Sequence, residues 1–123
     1  MKRILVVDDQ QDIRELVRMT LETGGHEVHE AANGSAALRL AGQLAPDLVL
    51  LDVMMPGSLD GLDVCRCLKQ PGGDGAPPRM KVVMLSACHA TSDQHAGLAA
   101  GADGYLAKPF SPRALLALVS SLA

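Results

Sequence analysis

Short apolar runs alternate along this chain with longer segments of helical periodicity. Four runs, over 4–7, 48–51, 82–85 and 105–107, contain no charged residue. Unbroken apolar runs of this length, separated by helix-length segments, are typical of parallel strands that helices cover on both faces. The more polar run over 27–31 predicts a strand at the edge of the sheet. The pattern therefore predicts five strand–helix repeats in a doubly wound α/β fold.

Start and stop signals bound the predicted helices. The first is predicted over 12–23, where Gly24 and Gly25 supply the stop. The last begins at Ser111, an N-cap residue followed by proline, and ends near 122. A Gly- and Pro-rich loop is predicted over 70–78. Other helices are predicted after Asn33-Gly34, from Asp60, which we interpret as a cap, and over 91–100. The residues of the first helix predicted to face the core are Ile13, Leu16, Val17 and Leu21.

Length and composition restrict the class of protein. The 123 residues are enough for one domain, over 1–123, with a core built from aliphatic rather than aromatic side chains, since only 2% are aromatic. The net charge of −3 and the lack of a basic block argue against direct nucleic-acid binding by this chain. No signal peptide or membrane-length apolar run is present, and the three cysteines are an odd number. We therefore expect a cytoplasmic protein with no membrane contact.

Polar residues end the four apolar runs. The first run stops at Asp8 and Asp9, the second at Asp52, the third at Ser86 and the fourth at Lys108. Ligands of open parallel sheets bind beyond the carboxyl ends of the strands, so we expect these side chains to converge. Clustered carboxylates repel one another strongly where the dielectric is low, and a divalent cation relieves that repulsion. Because all the acidic ligands are oxygens, Mg²⁺ is the predicted ion.

Taken in order along the chain, these motifs resemble the receiver domain of two-component response regulators, a family that includes the chemotaxis regulators. The resemblance covers the whole length of the chain. It implies a flavodoxin-like (βα)5 three-layer sandwich whose five-stranded parallel sheet has the strand order 2-1-3-4-5. The matching elements are Asp8-Asp9, Asp52, Met55-Pro56, Asp60-Gly61, Ser86-Ala87, Gly101-Ala102-Asp103-Gly104-Tyr105 and Lys108-Pro109-Phe110.

The resemblance also implies the chemistry of the site. Asp52 would be the phosphoacceptor, taking a phosphoryl group from the phosphohistidine of a sensor histidine kinase or a phosphotransfer protein. Mg²⁺ would be bound by Asp9, Asp52 and the main-chain carbonyl of Met54, with Asp8 acting through a water molecule. Mg²⁺ commonly keeps several waters and takes one or two carboxylates, which agrees with this ligand set.

A conformational switch is implied by the same family. Lys108 and Ser86 would bind phosphoryl oxygens, and the bond from Lys108 to Pro109 would be cis. Ser86 would move toward the phosphoryl group and Tyr105 would rotate inward. The surface made by the fourth predicted helix, the fifth strand and the last helix would then change shape and control a downstream protein or output domain. Such a chain promotes only its own phosphorylation and dephosphorylation and is not an enzyme with a separate substrate.

Other functions are weighed against this one. The chain could be a receiver excised from a longer DNA-binding or enzymatic response regulator. A flavin carrier would need a Ser-, Thr- and Gly-rich phosphate loop after the first strand, where Asp8 and Asp9 would instead repel phosphate. A haloacid-dehalogenase-type phosphatase would need an aspartate at Met54. Tyr105 could simply pack against the core.

Met54 generates a prediction about the lifetime of the phosphorylated state. An apolar side chain two residues beyond the phosphoacceptor would keep water from the aspartyl phosphate. We expect the Met54→Asn variant to lose its phosphoryl group faster than the wild type when decay is followed by intact mass. Equal decay rates would contradict this role.

Overall fold

A computed structural model describes residues 2–53, 55, 57, 59–69, 80–86, 101–108 and 110–122. These ranges contain five strands and four helices, which alternate along most of the chain. In chain order the elements are β1 (Arg3–Val7), α1 (Gln11–Thr23), β2 (Glu27–Ala31), α2 (Gly34–Leu44), β3 (Leu48–Asp52), α3 (Gly61–Leu68), β4 (Lys81–Ser86), β5 (Gly104–Ala107) and α4 (Pro112–Ser121).

The five strands form one parallel sheet in the order β2-β1-β3-β4-β5. The chain therefore starts at β1 in the interior of the sheet and places β2 at one edge. It then crosses over β1 and adds β3, β4 and β5 in order on the other side. This reversal of direction is the defining feature of a doubly wound fold, and the predicted fold class and strand order are confirmed. The polar strand β2 lies at the edge, as its sequence predicts.

Helices on both faces of the sheet separate the core into two layers. Side chains of a strand alternate between faces, so each central strand contributes to both layers. One layer lies between the sheet and helices α2 and α3, and the other lies between the sheet and helices α1 and α4. Every residue of β3 is buried, as expected for the central strand of a sheet covered on both sides. Strand residues of the first layer include Leu5, Val7, Val49, Leu51 and Met84, and those of the second include Ile4, Val6, Leu48, Leu50 and Leu85.

Helix ends follow the signals in the sequence. Asp60 caps α3 in a capping box, in which its side chain accepts from Asp63 N and the Asp63 side chain accepts from Asp60 N. This confirms the interpretation of Asp60 as a cap. The hydroxyl of Ser111 accepts from Ala114 N at the start of α4. Helix α1 ends before Gly24, as predicted.

Most boundaries lie within a residue of the predicted ones, but one core assignment is wrong. Val17 and Leu21 are fully buried and Ile13 packs beside them, whereas Leu16 is 41% exposed. Residues 13, 17 and 21 follow one another at a spacing of four and cover the sheet, so Leu16 turns toward solvent. The predicted helix over 91–100 and the loop over 70–78 lie outside the described residues. Among the helices that the structure describes, none is long and apolar enough to cross a membrane.

Helix α3 begins in direct contact with the end of β3. The Gly61 amide donates to the carbonyl oxygen of Val53 at 3.0 Å. A Cβ atom at Gly61 would overlap the carbonyl oxygen of Asp52 and would lie 2.8 Å from Val53 Cα. Only glycine therefore allows this close approach, which fixes the backbone at the carboxyl end of β3.

We expect Gly61→Ala to lower the free energy of unfolding by about 1–3 kcal/mol, because the added methyl group forces the helix away from β3. Gly42 is a matched control, since it lies exposed in α2 and a Cβ there meets nothing within 4 Å. Gly42→Ala should stabilise the protein by about 0.5–1 kcal/mol through helix propensity. Urea denaturation measures the free energy of unfolding of both variants. Equal effects of the two substitutions would contradict the close contact at Gly61.

Candidate functional site

The register of the sheet brings the ends of the central strands together. Val7 pairs with Leu51, so Asp8 follows β1 beside Asp52, the last residue of β3. Asp52 in turn pairs with Leu85 of β4. The last pair of the β4–β5 ladder is Ser86 with Ala107, and Lys108 follows directly. The polar residues that end the apolar runs therefore lie along one edge of the sheet.

Three carboxylates lie close together at this edge. One oxygen each of Asp8, Asp9 and Asp52 lies within 4.8 Å of the other two. Asp8 is fully buried and Asp52 is 5% exposed, while Asp9 is exposed at the rim. Two unit charges at this separation repel by about 3–4 kcal/mol at an effective dielectric constant of about 20. The cluster is therefore electrostatically unfavourable unless positive charge lies close to it.

Lys108 supplies positive charge from the end of β5. Its Nζ atom lies 2.6 Å from Asp8 Oδ2 and 3.5 Å from Asp52 Oδ2. The side chain is only 11% exposed, so both ion pairs are shielded from solvent. One ammonium does not neutralise three carboxylates, and the cluster keeps an excess of negative charge.

The donor set fits a small divalent cation. All of the cluster's acidic ligands are carboxylate oxygens, which Mg²⁺ prefers over nitrogen and sulfur. Two oxygens on opposite sides of a bound Mg²⁺ are about 4.2 Å apart, so oxygens within 4.8 Å need only a small adjustment. Asp9 and Asp52 could bind such an ion directly. Met54, whose carbonyl is a predicted ligand, lies outside the described residues.

Asp8 is held in place by four polar contacts. Its amide donates to Ala31 O at 3.1 Å, and its carbonyl accepts from Arg14 Nη1 at 2.7 Å. Its Oδ1 atom accepts from the Gln10 amide at 2.9 Å, and Oδ2 binds Lys108. Sequence reasoning missed Arg14, which lies on helix α1. Its position one to two turns after the paired acids is the only signal in the sequence, and that signal alone does not distinguish it from other surface arginines.

The predicted switch residues are described in part. Tyr105 lies in β5, where it pairs with Met84 and packs half-buried against the layer under α2 and α3. The backbone of Ser86 ends β4, but the position of its hydroxyl lies outside the described part of the chain. The same holds for Pro109, and therefore for the predicted cis bond.

A partly shielded ion pair between Lys69 and Asp103 fixes the start of β5. The Oδ2 atom of Asp103 accepts from Lys69 Nζ at 2.9 Å and from the Val82 amide at 2.8 Å. The Asp103 amide donates to Val82 O at 2.7 Å, and Lys69 also donates to Met80 O. The amino-terminal end of β5 is thereby tied to β4 and to the end of α3.

Beside Asp9 there is an open cavity of about 660 Å³. It lies between the start of α2, with Asn33 and Ser35, and the segment that carries Gly57 and Leu59. Of the three clustered carboxylates, Asp9 is the one that lines this cavity. The cavity therefore gives access to the exposed rim of the cluster.

Neither Cys65 nor Cys67, the two cysteines that the structure describes, belongs to the acidic cluster. Cys65 is buried in α3 and Cys67 is exposed, so the two side chains point in different directions, as predicted. Burial raises the pKa of Cys65 to about 11, which keeps its thiol protonated at neutral pH. A protonated buried thiol is neither a nucleophile nor a metal ligand.

The fold and the site together define a class: a doubly wound domain with an acidic cluster and a lysine at the carboxyl edge of its sheet. A family model for the response regulator receiver domain matches residues 4–120. The chain belongs to this family of two-component signal transduction domains.

Individual similar proteins support this assignment to the family. Response regulator MprA of Mycobacterium sp. (strain KMS) is 47% identical over 120 residues, which cover 98% of this chain and 50% of the relative. The chain thus spans about half the length of such curated relatives. Chemotaxis protein CheY4 of Vibrio cholerae has a TM-score of 0.89 at 32% identity, covering 100% of this chain and 99% of that one. NtrX of Brucella abortus, crystallised with ATP, has a TM-score of 0.88 at 34% identity, covering 98% of this chain and 26% of that one.

The electrostatics of the cluster predict opposite effects for two Asp→Asn substitutions in metal-free buffer. Asp9→Asn removes a charge that repels two neighbours and should raise the free energy of unfolding by about 1 kcal/mol, less at high salt. Asp8→Asn breaks a buried ion pair with Lys108 and should lower it by about 1–3 kcal/mol.

Urea denaturation at low ionic strength, with a chelator present, measures both changes. If both substitutions changed the free energy of unfolding in the same direction, this account of the cluster would be contradicted.

Proposed function

We propose that the chain is a phosphoryl-accepting signalling switch in which Asp52 is the phosphoacceptor. The observation that carries this proposal is the position of Asp52. Its carboxylate is 5% exposed, lies within 4.8 Å of two other acidic oxygens, and has the Lys108 ammonium 3.5 Å away. A carboxylate beside a cation is suited to attack an anionic phosphoryl group, because the cation offsets the repulsion between the two anions.

In the proposed reaction, an Asp52 oxygen forms a bond to phosphorus. The bond from phosphorus to the imidazole nitrogen of a partner's phosphohistidine breaks, and its electron pair stays on that nitrogen. The transition state of such transfers is loose and carries its charge on the equatorial oxygens. Most of the rate enhancement therefore comes from positioning and from cations placed where that charge develops.

Lys108 is the proposed cation of the protein itself. It reaches the cluster from β5, and its shielded ammonium lies between Asp8 and Asp52. Addition of a phosphoryl group would put roughly −1.5 to −2 charge on the Asp52 side of the cluster. Lys108 is then drawn from Asp8 toward the phosphoryl oxygens. Ser86, which ends the neighbouring strand, would donate a hydrogen bond to another phosphoryl oxygen.

Mg²⁺ is the proposed cofactor, because one oxygen of each of three carboxylates lies within 4.8 Å of the other two. Asp9 and Asp52 would bind it directly, Met54 would contribute its carbonyl, and Asp8 would orient a bound water. When bound, Mg²⁺ supplies the positive charge that lets an anionic phosphoryl group approach an anionic side chain.

The proposed output is a change at the surface around β5. Lys108 directly follows β5, three residues after Tyr105, so a movement of Lys108 toward the phosphoryl group would act on the strand that carries Tyr105. Tyr105 would rotate inward as Ser86 moves toward the phosphoryl group. A shift from 1:99 to 99:1 needs about 5.5 kcal/mol, which a few charge-assisted hydrogen bonds can supply.

The proposed partners are a sensor histidine kinase or phosphotransfer protein and a downstream protein or output domain. A cytoplasmic location and the lack of direct nucleic-acid or membrane binding belong to the same proposal. The alternative is that the receiver is part of a longer DNA-binding or enzymatic response regulator, and relatives twice the length of this chain favour it. The reading frame beyond residue 123 decides between these two forms.

Incubation with Mg²⁺ and acetyl phosphate tests the proposal directly. Intact mass should increase by one phosphoryl group, because Asp52 would accept the phosphoryl group of the small donor. The increase should be lost on treatment with hydroxylamine, which cleaves acyl phosphates. It should also be absent when a chelator replaces Mg²⁺.

Asp52→Asn should show no mass increase. Asp47→Asn is the matched control, since Asp47 lies at the opposite end of β3, where it accepts from the Arg3 amide at 2.8 Å. It should be phosphorylated like the wild type. Phosphorylation of Asp52→Asn, or phosphorylation of the wild type without a divalent cation, would overturn the assignment.

A further inference from the structure

We propose that Arg14 is a positioning residue that orients the peptide between Asp8 and Asp9 for binding of a divalent cation. The inference rests on the proposed Mg²⁺ site and adds a residue to its supporting structure. Arg14 Nη1 donates to the Asp8 carbonyl at 2.7 Å, and Nε binds Glu30 Oε1 at 3.1 Å. The two side chains are 15% and 24% exposed, so the ion pair is largely shielded.

The guanidinium connects three elements of the fold. Arg14 lies on α1, Glu30 on β2, and Asp8 directly after β1. Its fork of donors allows it to bind a carboxylate and a carbonyl at the same time in a fixed geometry. The Asp8 amide already donates to Ala31 O, so the contact from Arg14 fixes the other side of the same residue. The peptide plane that leads into Asp9 therefore has little freedom to rotate.

Asp9 depends on this backbone for its orientation. Among the described residues, no donor binds the Asp9 carboxylate, and its side chain is exposed. Asp8 and Asp52, by contrast, are both buried and are both contacted by Lys108. The direction in which Asp9 presents its oxygens is thus set mainly by the peptide that Arg14 holds.

Charge and geometry make opposite predictions for loss of Arg14. If the guanidinium acted only through its charge, it would repel a cation, and removing it would tighten Mg²⁺ binding. If it acts by holding the peptide, removing it allows Asp9 to turn away and weakens binding. The sign of the change in affinity therefore separates the two roles.

Arg18 provides a matched control. It lies one turn further along α1 and binds the other oxygen of Glu30, with 2.9 Å between Nη1 and Oε2. It shares the partner and the charge of Arg14, but the structure gives it no contact with Asp8. Arg18→Gln thus reproduces the loss of charge and of the ion pair with Glu30, and also loses an exposed pair with Glu22, without releasing the peptide.

The test is a Mg²⁺ titration of the unphosphorylated protein, followed by backbone-amide NMR shifts at the acidic cluster. We expect Arg14→Gln to bind Mg²⁺ about 10-fold more weakly than the wild type, the lower end of the range for residues that support metal ligands. Arg18→Gln should stay within about twofold of the wild type. Thermal unfolding with a chelator present reports whether each variant is folded.

Unchanged or tighter binding in Arg14→Gln would overturn the inference, and so would an equal loss in both variants. If Arg14→Gln does not fold, Arg14→Lys and Arg18→Lys replace the pair. An ammonium cannot span the carboxylate and the carbonyl as a guanidinium does, so Arg14→Lys should still weaken binding, and wild-type affinity would overturn the role. Failure of the wild type itself to bind Mg²⁺ would instead overturn the proposed function.

Discussion

The structure depends on a concentration of negative charge that the sheet itself creates. Because Val7 pairs with Leu51, Asp8 and Asp52 must lie beside each other, and Asp9 follows at the rim. Burial removes most of the water that would screen them. Lys108 places one positive charge against three carboxylates, so the site remains short of positive charge. In the proposed function a bound divalent cation would offset that deficit and would let an anionic phosphoryl group approach, which is how an unfavourable arrangement could serve signalling.

The surrounding fold is rigid where this cluster needs support. Strand β3 is buried along its whole length, and Gly61 brings α3 against its carboxyl end without an intervening side chain. Asp8 is held by its amide, its carbonyl and both carboxylate oxygens. Asp8 therefore cannot relax away from Asp52, and part of the repulsion between the two carboxylates remains in the native state. Stability and function are therefore in opposition at this edge of the sheet.

Much of this could be predicted from the sequence because it depends on local signals. Apolar runs and caps located nearly every described element, and the acids that end the runs located the cluster. The contacts of Arg14 and Asp103 could not be predicted, because each joins elements that are distant in the chain. A surface arginine and a loop aspartate have no periodicity that distinguishes them. Leu16 was misplaced because a helical spacing of three or four fits two adjacent faces, and only packing decides between them.

The uneven packing of the sheet indicates where a signal would travel. Every residue of β3 is buried, whereas all four residues of β5 are only partly buried at the edge of the sheet. Elements with less buried surface open or shift at lower free energy than the core. Asp103 ties the amino-terminal end of β5 to β4, and Lys108, which follows the carboxyl end of β5, is held by its ion pairs with Asp8 and Asp52. In the proposed function a charge added at Asp52 would therefore act directly on the ion pairs that hold the end of a partly buried strand, and Tyr105 lies on that same strand.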